Sequence, residues 1–549
     1  MLSHILAAAS VLIAAAAALS SDDRDGAFVG YHEKVAGCLD RMEDCPARAL
    51  GNGCAYDPFN LRSFCPVACD LEKCSHRGHK KVLHRGRATS HGTLAFQAAM
   101  VKQLNLPDSL YKSVKLLMSE EALALSGLGV GTYLGEGDEA TDEASVAALL
   151  YSVTHGWNVI DTASNYRSGH SEQALGTALD ALLAGDEAAS FSQGTVEAAA
   201  ALVNRYEITP PPLVSTLRGL AKPEDLADVT ATVTASVLHK GADLTRDMLF
   251  ISTKAGFTTP GLVERLVREG RLGQRDVVSG QHCLHPAYLE ASLELSLTRL
   301  HLQTVDLFYL HNAAEMQLQQ LGRAAFMARL LQAFHACEKA RLQGKLVYYG
   351  LATWDCFRVP PTHPAYLALA DVVQLAEQAG GAHHGFRFIQ LPVNMRMAEA
   401  WTQPWQPLHP TMGLAAGKEL GSRDGRARKL GDGRTSGQVP GSSPGGSNLT
   451  LMEVAGKLQV GVFSSGPLGE AGLVQDLAQP LDSVLELRSF RSTAAKLLQH
   501  ARSTPGLITT LVGHKRREHV EDNLRLSYSP CLTPQQHLAA FQALSSRAG

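Results

Sequence analysis

Four side chains in this sequence could together deliver a proton to an oxygen: Asp161, Tyr166, Lys254 and His311. Asp161 ends the apolar run Asn158-Val159-Ile160, and Tyr166 follows in the next loop. Lys254 closes Phe250-Ile251-Ser252-Thr253, and His311 closes Asp306-Leu307-Phe308-Tyr309-Leu310. A free phenol, with a pKa of about 10, holds its proton tightly at neutral pH. An ammonium beside it favours the phenolate and lowers that value. A carboxylate can hold the ammonium in place, and an imidazole can hydrogen-bond an oxygen that is gaining negative charge. Such a set suits hydride addition to a carbonyl, which leaves an alkoxide that must be protonated. Taken singly, each residue also has an ordinary reading: a packed tyrosine, a lysine at a surface strand end, a structural histidine, an aspartate capping a helix. What joins them is position, at or just past the ends of apolar runs.

The elements that must carry them alternate between strand-like and helix-like segments, as in a parallel α/β fold. Strand candidates occur at Leu125–Gly131, Asn158–Asp161, Met248–Lys254, Val305–Leu310, Val347–Ala352, Phe388–Pro392, Val460–Ser464 and Ile508–Val512. Helical periodicity lies between most of them; Ala287, Leu289, Leu293, Leu297 and Leu300, for example, form one apolar face. Eight strands with intervening helices predict a (β/α)8 TIM barrel, whose active face lies at the carboxyl ends of the strands. A doubly wound sheet is excluded, because Gly129-Val130-Gly131 lacks the third glycine of a phosphate loop.

The run from Asn158 through Asp161-Thr162-Ala163-Ser164-Asn165-Tyr166, continuing to Gly169, Ser171-Glu172 and Leu175-Gly176, closely resembles the signature of the aldo-keto reductase family. Lys254 and His311 follow in that family's order, and the resemblance spans roughly Leu125 to Leu526 apart from two insertions. It implies an enzyme that reduces an aldehyde or ketone with NADP(H), Tyr166 being the proton donor. By the same match, Gly131, Thr132 and Tyr133 lie beside the nicotinamide, and Gln390 binds its carboxamide. Thr353 stands in Ala352-Thr353-Trp354, where many members have Ser-Asn. Ser465, followed by Leu468, falls where many members stack an aromatic on the nicotinamide ring. Gly513, Lys515, Arg517, Asp522 and Asn523 match the adenosine end, with Asp522 and Asn523 against the base. Lys515, Arg516 and Arg517 concentrate positive charge where a 2′-phosphate would sit, which favours NADP over NAD. The plainer readings are turn geometry at Gly131, a solvated amide at Gln390 and a solvated charge run at 515–517. No metal is called for.

The rest of the chain bounds the setting. Its 549 residues carry a net charge of -3, which leaves no electrostatic footprint for nucleic acid. Ile5 to Leu19 is an apolar run too short for a bilayer crossing but suited to a signal peptide, so residues 1–20 are expected to be removed. No membrane span is then expected in the mature chain, and the expected location is secreted or endomembrane-lumenal. Six cysteines, Cys38, Cys45, Cys54, Cys65, Cys69 and Cys74, crowd into residues 38–74, a segment too short to fold on an apolar core. A zinc site is disfavoured, since there is no paired C-x2-C and no histidine between them; spacing alone leaves every disulfide pairing open. With Asp40 and Asp57-Pro58, the pattern resembles the ShK-like toxin module, which implies pairs Cys38–Cys74, Cys45–Cys65 and Cys54–Cys69. Its partner is unspecified, and a disulfide-stabilised spacer is the plain reading.

Residues 75–120 read as a linker, 121–530 as the barrel and 531–549 as a C-terminal helix. Insertions fall at 185–247 and at 417–447, the latter Gly/Ser-rich and ending at the glycosylation sequon Asn448-Leu449-Thr450. Cys283, Cys337, Cys356 and Cys531 have no spacing that pairs them, and Trp354, Trp401 and Trp405 are candidates to line a pocket. Two rival functions remain: a nicotinamide-bound sensor or regulatory subunit with little turnover, and a chain whose working part is the cysteine module. If the lumenal reading holds, intact-mass analysis of secreted protein with and without reduction should count three bridges and a start near Ser21. An uncleaved chain with six free thiols in 38–74 would overturn both the compartment and the module.

Overall fold

The computed structural model of the chain describes residues 83–116, 122–183, 244–408, 448–477, 481, 484 and 487–545. The expected signal segment, the six N-terminal cysteines, the 417–447 insertion and all but the end of the 185–247 insertion lie outside these residues. The stretch read as a linker contains a helix, α1 (Ser90–Leu104), started by Thr89, whose side chain accepts from the Gly92 amide. It is no linker because Phe96, Met100 and Leu104 give it a buried apolar face. The segment expected as one strand at Leu125–Gly131 is two. A hairpin of β1 (Tyr111–Val114) and β2 (Leu123–Ser126) precedes β3 (Leu128–Gly131), and the chain turns at Gly127, whose amide bonds the Leu110 carbonyl at 2.6 Å.

From β3 onward the chain runs α2 (Glu139–Thr154), β4 (Val159–Asp161), α3 (His170–Leu183), β5 (Phe250–Ala255) and α4 (Leu262–Arg268). A small hairpin, β6 (Val277–Val278) and β7 (His282–Cys283), leads to α5 (Pro286–Leu300) and β8 (Val305–His311). Then follow α6 (Ala313–Leu321), α7 (Arg323–Leu342), β9 (Leu346–Ala352), α8 (Leu369–Gly380), β10 (Phe386–Pro392) and α9 (Glu399–Thr402). The last part comprises α10 (Leu451–Lys457), β11 (Gly461–Ser465), α11 (Gly472–Asp476), α12 (Thr493–Arg502), β12 (Thr509–Gly513), α13 (Arg517–Arg525) and α14 (Pro534–Ser545). Strands β3, β4, β5, β8, β9, β10, β11 and β12 close into a parallel barrel. All eight were legible as apolar runs.

The reason is that parallel barrel strands are buried on both faces. Leu307 and Tyr309 of β8 join an inner cluster with Val159, Phe250, Phe388 and Phe463, while Phe308 and Leu310 join the outer layer beneath the helices. Val114, Leu116, Leu123 and Leu125 belong to the same inner cluster, so the hairpin stoppers the barrel floor. Near that floor Asp306 gathers three donors: the Ala88 amide at 2.6 Å, the Ile251 amide at 2.8 Å and the Arg246 guanidinium at 2.6 Å. It therefore ties the N-terminal lead-in and the end of the long insertion to β5 and β8. Asp306→Ala should destabilise the barrel by about 3–5 kcal/mol, because it leaves Arg246 buried without its counter-charge. Chemical denaturation measures this, and an effect below about 1 kcal/mol, the scale of an exposed pair, would show that the hub is dispensable.

Candidate active site

Adjacent strands place the four candidate side chains together. In the β4–β5 register Asp161 pairs with Ser252, two residues before Lys254 and on the same side of the strand. The fully buried Lys254 Nζ donates to Asp161 Oδ2 at 2.5 Å, to the Thr162 carbonyl at 2.9 Å and to the Tyr166 hydroxyl at 3.1 Å. Asp161 Oδ1 accepts from the Ser252 hydroxyl at 2.6 Å and from the Gln390 amide at 3.0 Å. The His311 ring stands edge-to-face with Tyr166, centroids 5.7 Å apart, and its Nδ1 has no hydrogen-bond partner among the described residues.

Burial opposes the Lys254 ammonium, but Asp161 and Tyr166 outweigh it and raise its pKa. Burial also raises the Tyr166 phenol; Lys254 acts the other way without prevailing. This corrects the expectation that Lys254 brings the phenol toward neutral. Asp161 already compensates the lysine's charge, so desolvation decides and Tyr166 keeps its proton. His311 falls well below its usual value through burial, then through Lys254 and His282, and is neutral.

The loop carrying Tyr166 is held under strain. Arg167 and Ser168 take left-handed backbone angles, φ 50° and 57°, followed by Gly169 at φ 98°. Such conformations cost side-chain-bearing residues of order 1–3 kcal/mol each unless the surroundings impose them. Here the buried Arg167 side chain reaches the Glu136 carbonyl at 2.8 Å, the Ser145 hydroxyl at 3.2 Å and the Asp142 carboxylate. These bonds fasten the Tyr166 loop to α2 and to the loop bearing Tyr133, whose ring packs edge-on to Tyr166 at 5.1 Å. At Gly169 any side chain would be strained by the positive φ and would have to displace the Arg299 guanidinium, 2.3 Å from an added Cβ. That guanidinium pairs with Glu172, which also accepts from Thr253 at 2.7 Å, so the glutamate of the motif clamps β5 to α3 and α5.

The remaining expected site residues divide. Gly131 pairs with Gly513 where β3 meets β12, and the Thr132 amide bonds the Asp161 carbonyl at 3.1 Å. Tyr133 and Trp354 are both exposed. Gln390 reaches the site but has one amide bond on Asp161. Thr353 does not present a free hydroxyl, because Glu315 of α6 takes it together with the Trp354 and Asp355 amides at 2.8 and 2.9 Å. Ser465 ends β11, and Leu468 packs against the core. At the far end Asn523 is buried on His514 at 3.2 Å, and Asp522 accepts from Ser492, the N-cap of α12. Lys515 Nζ lies against Gly135, where an added Cβ would approach it to 2.3 Å. Trp401 packs on His537 and Phe541 of α14 rather than on the four-residue cluster. The four barrel cysteines are unpaired. Sequence reading missed Glu315, Arg167 and His282. Only Arg167 carried a signal, being adjacent to Tyr166.

Residues 127–192 and 230–362 match the Aldo/keto reductase family model. The match spans β3, β4, β5, β8 and β9 and contains Asp161, Tyr166, Lys254 and His311. Among solved structures the chain is similar to an aldo/keto reductase from Klebsiella pneumoniae in complex with NADP and acetate, with 17% identity over 79% of this chain and 95% of that one, TM-score 0.42. It is also similar to an aldo-keto reductase from Bacillus halodurans in its holo form, with 15% identity over 79% and 96%, TM-score 0.41. Likenesses that distant add nothing to what the barrel and its side chains show. For the site itself, Lys254→Met should raise the Tyr166 pKa further, because it removes the ammonium that favours the phenolate. Tyrosinate absorbance, differenced against Tyr166→Phe, reads this; an unchanged or lower value would mean the ammonium does not act on the phenol.

Proposed function

We propose that the chain is an NADP(H)-dependent oxidoreductase of the aldo/keto reductase type, reducing an aldehyde or ketone to an alcohol. The observation that carries this is the buried chain of hydrogen bonds from Asp161 through Lys254 to the Tyr166 hydroxyl, with a neutral His311 ring beside it. When bound, the nicotinamide supplies the hydride. Tyr166, protonated because of its burial, donates to the oxygen that becomes the alcohol. Lys254 stabilises the phenolate left behind, Asp161 fixes Lys254, and a neutral His311 can donate one N–H to the substrate oxygen.

The residues present fit the cofactor unevenly. An added Cβ at Gly131 would make only ordinary contacts, its nearest neighbour lying 3.8 Å away, and the buried Asn165 Oδ1 has no partner among the described residues. The start of α13 has no side-chain cap, and Lys515 precedes it, an arrangement that suits a phosphate. By contrast, Thr353, Asp522 and Asn523 are engaged within the chain. Engagement of Thr353 and its turn by Glu315, with Ala352 and Ser465 departing from the family pattern, favours the alternative, a nicotinamide-bound sensor with little turnover. The same reading keeps the chain secreted or lumenal, preceded by a ShK-like module, on the apolar N-terminus and six clustered cysteines. Asn448 of the sequon is exposed, while Thr450 forms a capping box with Glu453 at the start of α10.

Multiple-turnover oxidation of NADPH with a panel of aldehydes, ketones and quinones, compared with NADH, separates enzyme from sensor. Tyr166→Phe should lower turnover by at least about 10²-fold, the scale of general acid catalysis, while sparing NADPH binding. Undiminished reduction by that variant would sink the mechanism.

A further inference from the structure

Among the described residues no side-chain hydrogen bond aims the His311 imidazole: Nδ1 is unpartnered, and the ring packs edge-to-face with Tyr166 and Phe257, centroids 5.7 and 5.1 Å away. Its direction must therefore come from the peptide it is built on. That peptide lies where the barrel ladder gives out. The last register pair between β5 and β8 is Ala255 with Leu310, one residue before His311. The His311 carbonyl would then lack a partner from β5, and His282 Nε2 takes that place at 2.7 Å. On the other side the Asn312 amide donates to the Ala352 carbonyl at 2.6 Å. The His311–Asn312 peptide is thus pinned at both its oxygen and its N–H, with Asn312 held at φ 48°.

The bond fixes the tautomer of His282 as well. A carbonyl can only accept, so Nε2 must carry the hydrogen, and Nδ1 is left to accept from the Gln317 amide at 2.9 Å. Burial holds His282 down to about 4, so the ring stays neutral and keeps this single donor. Gln317 lies on α6, which begins two residues after His311, so the arrangement is a closed brace across one strand end. The surroundings are shaped to admit it. A Cβ at Gly256 would come within 2.5 Å of His282 Nε2 and 2.8 Å of the His311 carbonyl, and Gly256 takes φ 153°. Phe257 packs edge-on against both histidines.

We propose that His282, on the β6–β7 hairpin, is a positioning residue for His311, setting the aim of its imidazole at the substrate oxygen through the His311 carbonyl. The assignment rests on the carbonyl-reductase reading above. His282→Phe keeps the ring's bulk and removes the donor, whereas His282→Gln offers an amide nitrogen near the position of Nε2. His282→Phe should lower kcat on the order of 10- to 100-fold, the scale of a small misplacement of a catalytic group. KM should change less than kcat, and His282→Gln should recover most of the loss. Imidazole NMR of His311 reads the same geometry without turnover: one sharp signal in the wild type and in His282→Gln, broadened or multiple signals in His282→Phe. Thermal melting confirms that each variant is folded. Equal loss in both folded variants, or an unchanged His311 signal in His282→Phe, would overturn the proposal. A wild type that shows the NMR contrast but no turnover would instead remove the reductase reading and leave the brace standing.

Discussion

A lysine with no exposed surface is the constraint on which this barrel mouth depends. An ammonium removed from water is expensive unless its donors are met, and Lys254 meets Asp161, the Thr162 carbonyl and Tyr166. Asp161 in turn is met by Ser252 and Gln390 as well as by the lysine. These partners come from β4, β5 and β10 and from the loop after β4. A slip of one residue in the β4–β5 register would turn Lys254 toward the helices and leave a bare carboxylate inside the barrel. The ion pair therefore demands the register that also brings Tyr166 to the mouth.

Burial is what raises the phenol, and the same pair explains why Lys254 does not reverse it. An isolated ammonium 3.1 Å from a phenol would favour the phenolate, but here a carboxylate compensates it. A neutral tyrosine is a suitable resting state for a donor of protons. The loop that presents it stores backbone strain at Arg167 and Ser168, balanced by the guanidinium bonds of Arg167 to α2 and to the Glu136 carbonyl. The precision of Tyr166 thus comes from side chains outside the chemistry.

Further from the ion pair the fit to a nicotinamide nucleotide loosens. Glu315 occupies the Thr353 turn, and Asn523 is drawn inward onto His514, which stacks on Trp157. Thr353 and Asn523, expected from the resemblance to face a nucleotide, are both met by partners within the chain. Where a buried polar group finds a partner within the chain it gains no more from a ligand than the exchange allows.

Barrel strands buried on both faces write themselves into the sequence as apolar runs, and all eight could be read, their carboxyl ends to within one residue. Asp161, Lys254 and His311 lie at the ends of those runs and Tyr166 in the loop past one, but it was the resemblance to the aldo-keto reductase signature that singled them out. The hairpin on the barrel floor and α1 were not legible, because their burial comes from contact with a surface distant in sequence. Nor could the sequence show that Asn523 turns inward, that Glu315 occupies the Thr353 turn, or that a histidine 29 residues before His311 supports its backbone. A side chain's type fixes what it can donate or accept. Which partner it meets, and whether burial or a neighbouring charge governs its proton, is decided only when strands far apart in the chain are brought side by side.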